Sequence, residues 1–192
     1  RQALQQEQLY VVYQPIVALD DRRPVGLEAL ARWHHPTRGL VSPAEFVPLA
    51  EEAGLIEQLG EGVLRRACAD LAAWQRPLGE RAPQTVAVNL SRAQLRPGHL
   101  AAAVRAALDA NGLAPGALRL EITETLAMQG DSAQAVLAEL RAMGISLALD
   151  DFGTGYSSLA SLDQLPIDTV KIDRAFVAKM VHNPYQTALV KS

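Results

Sequence analysis

Short apolar runs alternate along the chain with amphipathic stretches of helical period, and nearly every run ends on a polar or acidic side chain. The runs are extended in character over 9–19, 25–33, 85–90, 118–123, 146–152 and 169–173. Between them the period lengthens to that of a helix. Ser42 followed by Pro43 is a cap with proline just inside, predicting a helix towards Leu55. Further helices are predicted over 60–75, over 100–110 with Asn111-Gly112 as its stop, over 131–143 ended by Gly144, over 156–165, and from Arg174 onward.

Extended runs alternating with helical patterns are the mark of parallel strands joined by right-handed crossovers. A strand covered on both faces should be continuously apolar. Here Gln14, Glu28, Asn89, Glu121, Asp150, Asp151 and Lys171 interrupt or close such runs instead. An open sheet gathers its site at one switch point, whereas a barrel collects residues from the C-terminal ends of many strands, so the pattern predicts a TIM-type barrel. Such a barrel usually needs about 250 residues. The chain has 192 and six predicted strands, about six of eight βα units.

Composition narrows the field. Hydrophobic residues make up 49% of the chain, enough for one sizeable core, and 18 basic against 21 acidic side chains leave a net charge of only -3. No broad attraction to nucleic acid or to an anionic membrane follows from that balance. No apolar stretch approaches the ~20 residues of a membrane span, and no signal-peptide pattern opens the chain, so a cytoplasmic location is expected. Cys68 falls among apolar neighbours at helical spacing and reads as packing. Residues 1–8 read as the polar tail of a linker helix from an upstream domain, with 9–192 as the barrel domain.

Glu28, Asn89, Glu121 and Asp150 offer three carboxylates and an amide oxygen, with no histidine or cysteine among them. That donor set suits Mg²⁺ or Mn²⁺ rather than zinc. Asp151, adjacent to Asp150, can turn towards a second ion, and paired ions are a common device for in-line displacement at phosphorus. Lys171 adds a cation. Glu28, Leu30 and Arg32 share a strand face, which places Arg32 about 13 Å beyond Glu28, where it can hold a phosphate or a base. Glu124 lies past the end of its strand and reads as a loop brace. A single strand-end acid is more often a cap than a ligand; the collective recurrence is what points to a site. His34-His35-Pro36 lacks the spacing of a helical zinc pair and reads as a turn, and Trp33 and Trp74 read as packing.

Together these segments resemble the EAL-domain family. The likeness rests on Glu28-Ala29-Leu30-Ala31-Arg32 and on YQPIVAL, SPAEFVPLAEEAGLI, VNLS, EITET, DDFGTGYSSL and KIDRAFV, which span essentially the whole chain. It implies a modified (β/α)8 barrel whose first strand runs against the others. It also implies hydrolysis of cyclic di-GMP to linear pGpG with Mg²⁺ or Mn²⁺. Carried across residue by residue, it makes Glu28, Asn89, Glu121 and Asp150 ligands of the first ion and Asp151 a ligand of the second. Lys171 helps position the attacking water, Gln14, Leu30 and Arg32 contact the nucleotide, Glu124 steadies the DFGTG loop, and Asp173 belongs to the KxD element. A homodimer and an upstream sensor or cyclase domain are further implications. The family's AEGVE and QGY segments do not occur before Ser192, so the barrel is expected to be incomplete and the activity of this chain alone is left open. Two alternatives stand beside the phosphodiesterase: a receptor module that binds cyclic di-GMP without cleaving it, and a barrel lyase or isomerase with Lys171 as base.

Overall fold

In the computed structural model, Ala3 and residues 8–128, 130–152 and 165–178 are described. Residues Leu9–Val17 form β1 and Pro24–His35 form β2, an antiparallel pair in which Gln14 faces Glu28, Val12 faces Leu30 and Tyr10 faces Arg32. The reversed first strand implied by the resemblance is therefore present. From β2 the sheet continues in parallel through β4 (Thr85–Asn89), β5 (Leu118–Thr123), β6 (Ser146–Phe152) and β7 (Thr169–Ile172). A short β3 (Gly39–Val41) folds back on the end of β2, giving a seven-stranded sheet among the described residues. With β1 and β7 at opposite ends of the order, that sheet is not closed.

The strands divide their side chains by the period of two. Val86 and Val88 of β4, Leu118, Leu120 and Ile122 of β5, and Leu147 and Leu149 of β6 turn to the helices and form one buried cluster. Against them pack α2 (Ile56–Leu78), α3 (His99–Asp109) and α5 (Asp131–Ala142). Leu64, Leu71, Val104, Leu137 and Leu140 from these helices are buried, and each such side chain contributes about 2 kcal/mol by leaving water. The alternate strand positions, Ala87, Asn89, Arg119, Glu121, Ala148 and Asp150, fall on the other face. The fold thus spends one face on stability and leaves the other for polar groups.

Helix α1 (Pro43–Glu52) starts as predicted, with Ser42 Oγ accepting from the Ala44 N–H at 3.3 Å. It covers a smaller cluster of Val41, Phe46, Ile56 and Leu59. Strand β1 is fastened to α2 through Tyr13, whose hydroxyl donates to Asp70 Oδ2 at 2.7 Å while Arg66 Nε donates to the same oxygen at 2.8 Å. Trp74 meets the Tyr13 ring edge-on, 4.7 Å between centroids. Cys68 has no solvent exposure, and burial pushes its thiol up to about 11, consistent with a packing role.

Three features differ from expectation. Helix α2 is longer than 60–75 because Ile56 and Leu59 extend its apolar stripe backwards. Strand β3 and the single turn α4 (Glu124–Ala127), capped by Thr123 Oγ1 on the Leu126 N–H, are too short to show a period in the sequence. The helix expected over 156–165 lies outside the described residues except for Leu165.

Candidate metal centre

Register aligns the polar positions on the inner face. Glu28 pairs with Ala87, Asn89 with Glu121, and Thr123 with Asp150, so the carboxylates arrive at staggered heights from three parallel strands. Oxygen atoms of Glu28, Glu121 and Asp150 lie within 4.8 Å of one another. Lys171 Nζ reaches all three: Glu121 Oε2 at 2.5 Å, Glu28 Oε2 at 3.1 Å and Asp150 Oδ1 at 3.1 Å. Asn89 Nδ2 donates to the other Glu28 oxygen, Oε1, at 3.1 Å, leaving its amide oxygen as an acceptor.

Glu121 is the unusual member. Its side chain has no solvent exposure, and its Oε1 is buried without a hydrogen-bond partner. Burial pushes its carboxyl up to about 7 against the pull of Lys171, and the charges of Glu28 and Asp150 push the same way. On Lys171 burial works against the charge, but the bonds to Glu121 and Asp150 and the field of Glu28 outweigh it and raise its pKa. A buried carboxylate oxygen left unpaired is costly in any folded protein. Three carboxylates and one ammonium also leave a formal surplus of two negative charges. Both observations, with an all-oxygen donor set, fit a divalent cation of the Mg²⁺ or Mn²⁺ kind.

Asp151 is not in that triad. Between Leu149 and Phe152 the chain advances three residues while its partner advances two, from Val170 to Ile172, so Asp150 and Asp151 sit in a bulge beside Lys171. Asp151 has φ 56°, a left-handed conformation that aspartate tolerates better than most side chains. The bulge breaks the alternation that would otherwise turn Asp151 to the helix layer. Its carboxyl is raised by burial first, then by Asp150 and Asp173.

The remaining expected residues lie on strands and turns of the same sheet. Gln14 is the cross-strand neighbour of Glu28. Leu30 and Arg32 line a cavity of about 270 Å³ that Asn89 also borders, and Arg32 Nη1 donates to the Ala31 carbonyl at 2.8 Å. Glu124 opens α4, and the loop from Gly153 that it is expected to brace lies outside the described residues. Asp173 caps α6 (Arg174–Ala178) by accepting from the Ala175 N–H at 2.7 Å. One further polar residue lies on the inner face. Arg119 pairs with Ala87 and Ser146 one pleat below Glu121, and its Nε is buried without a hydrogen-bond partner. The alternation Leu-Arg-Leu-Glu places it on the face of Glu121, but a mid-strand position carries no strand-end signal in the sequence.

An α/β sheet of this topology, with Glu28, Glu121 and Asp150 converging from three of its parallel strands, defines a protein of the TIM-like class carrying an acidic cluster that could hold a metal ion. The chain belongs to the EAL-domain family, whose family model matches residues 1–192. It is 45% identical over its full length to the bifunctional diguanylate cyclase/cyclic di-GMP phosphodiesterase MucR of Pseudomonas aeruginosa, covering 28% of that protein. To the cyclic di-GMP phosphodiesterase NbdA of the same organism it is 49% identical over 92% of the chain, covering 22% of that protein. The solved PaMucR phosphodiesterase in complex with c-di-GMP superimposes with a TM-score of 0.89 at 44% identity, over 99% of this chain and 76% of that one. The chain thus spans about a quarter of the length of these curated relatives. Among the described residues no helix is long and apolar enough to cross a membrane.

Proposed function

We propose that this domain hydrolyses one phosphodiester bond of cyclic di-GMP to give linear pGpG, as a unit of a larger signalling protein with a sensor or cyclase domain. The observation that carries the proposal is the meeting of Glu28, Glu121 and Asp150 around a buried, unpartnered carboxylate oxygen in an EAL-family chain. Two relatives named as cyclic di-GMP phosphodiesterases, and a solved complex with that nucleotide, support the substrate.

In this reading Glu28, Asn89, Glu121 and Asp150 hold one Mg²⁺ or Mn²⁺, and Asp151 belongs to the second. Bound ions would polarise the phosphoryl group and make a bound water more acidic. Lys171, kept charged by its three carboxylate neighbours, supplies a hydrogen-bond donor to the attacking water and a positive charge next to the reacting phosphate. Gln14 and Arg32 lie on the same face of the β1–β2 pair and orient the nucleotide, with Leu30 offering apolar contact between them. Glu124 steadies the loop after Asp151.

The test is product analysis. Cyclic di-GMP incubated with the protein and Mn²⁺ is expected to yield pGpG, and excess EDTA is expected to stop the reaction. Binding of the nucleotide with no pGpG under saturating Mn²⁺ would replace this reading with that of a receptor module.

A further inference from the structure

We infer that Gln94 is a positioning residue for Asn89, seated by its contact with Gly60 of α2. The inference rests on the metal-site reading above. After Asn89 the chain must leave the sheet and turn towards α3, and the path of that turn sets where the Asn89 side chain begins. The Leu90 N–H donates to the Glu121 carbonyl at 2.8 Å, which ties the turn to the strand carrying the buried carboxylate. The next N–H, that of Ser91, donates to Gln94 Oε1 at 3.0 Å.

Gln94 is only 6% exposed, unusual for a primary amide and expected only where the group is held. A gap in α2 holds it. A Cβ built on Gly60 would lie 2.5 Å from Gln94 Cδ, 2.7 Å from its Oε1 and closer still to its Nε2, so the amide fills the space of the missing methyl. Glycine is the poorer residue in a helix interior, and here its lack of a side chain admits the amide. Arg96 ties the same segment to the same helix through Glu57 at 2.9 and 3.1 Å, but that pair is exposed and contributes little. Gly60, Ser91 and Gln94 also line the cavity bordered by Asn89, Leu30 and Arg32. A groove wall and a proposed ligand therefore share one support.

The experiment titrates Mn²⁺ into the purified 192-residue protein and follows the free ion by electron paramagnetic resonance, with thermal melts alongside. Gly60→Ala is expected to weaken Mn²⁺ binding about tenfold, the scale seen when a group supporting a metal ligand is lost, with an unchanged or higher Tm. Gln94→Ala is expected to weaken it similarly. In the Gln94→Ala background Gly60→Ala adds no further loss, because the methyl enters vacated space. Wild-type affinity in folded Gly60→Ala, or in Gln94→Ala should the first variant not fold, would overturn the inference. Additive losses in the double variant would overturn it too. Absence of Mn²⁺ binding by the unmodified protein would instead remove the metal-site reading on which the inference stands.

Discussion

Glu121→Gln will lower the rate of cyclic di-GMP hydrolysis by at least about 10³-fold, equivalent to about 4 kcal/mol of transition-state stabilisation. The replacement keeps shape and volume at a position with no solvent exposure, so Leu120 and Ile122, buried on the opposite face of the same strand, are undisturbed. The change is one of charge: a full carboxylate at the focus of the cluster becomes a neutral amide. Glutamine also places an N–H₂ group where an ion requires oxygen. Stability of the metal-free protein is expected to hold or rise, since burying an ionised carboxylate is expensive. Steady-state kinetics under saturating Mn²⁺, with a denaturant melt of the same sample, separates these effects. A variant that is folded and retains more than about a tenth of wild-type turnover would take Glu121 out of the mechanism.

Lys171→Met will produce a different signature. Among the described residues its ammonium is the one positive group within hydrogen-bond reach of all three clustered carboxylates, and removing it leaves them to repel one another around a fully buried oxygen. Breaking a buried charge pair from one side costs about 3–5 kcal/mol, so the metal-free variant is expected to melt markedly earlier at about pH 8. Mn²⁺ should restore most of the loss, because an ion that binds only the folded state stabilises it in proportion to its affinity. Turnover is nevertheless expected to fall by about 10²-fold, with Mn²⁺ affinity equal to or tighter than wild type. Loss of Mn²⁺ affinity in step with turnover would make Lys171 a support for the ligands and not a participant in the reaction.

Much of the fold was readable because period-two and helical patterns report which face of an element is buried. The candidate ligands were readable for a related reason: Glu28, Asn89, Glu121 and Asp150 each break an apolar run at a place where burial would otherwise demand continuity. Direction leaves no such trace. The alternation in β1 is the same whichever way the strand runs, so its antiparallel pairing came from family likeness and not from periodicity. Alternation also misplaces Asp151, because a bulge inserts one residue and reverses the facing of the residues beyond it. Nor does a strand pattern tell how long side chains meet in space. That Lys171 reaches three carboxylates, and that Gln94 fills the gap left by Gly60, depend on distances between segments that no local pattern encodes.

Diffraction from crystals of the protein soaked in MnCl₂, recorded at a wavelength where manganese scatters anomalously, tests the convergence of these oxygen donors most directly. An anomalous peak within bonding distance of Glu28, Glu121 and Asp150 together, with Asn89 beside it, is the predicted result. Ordered carboxylates still gathered on Lys171 with no peak among them at saturating Mn²⁺ would contradict it.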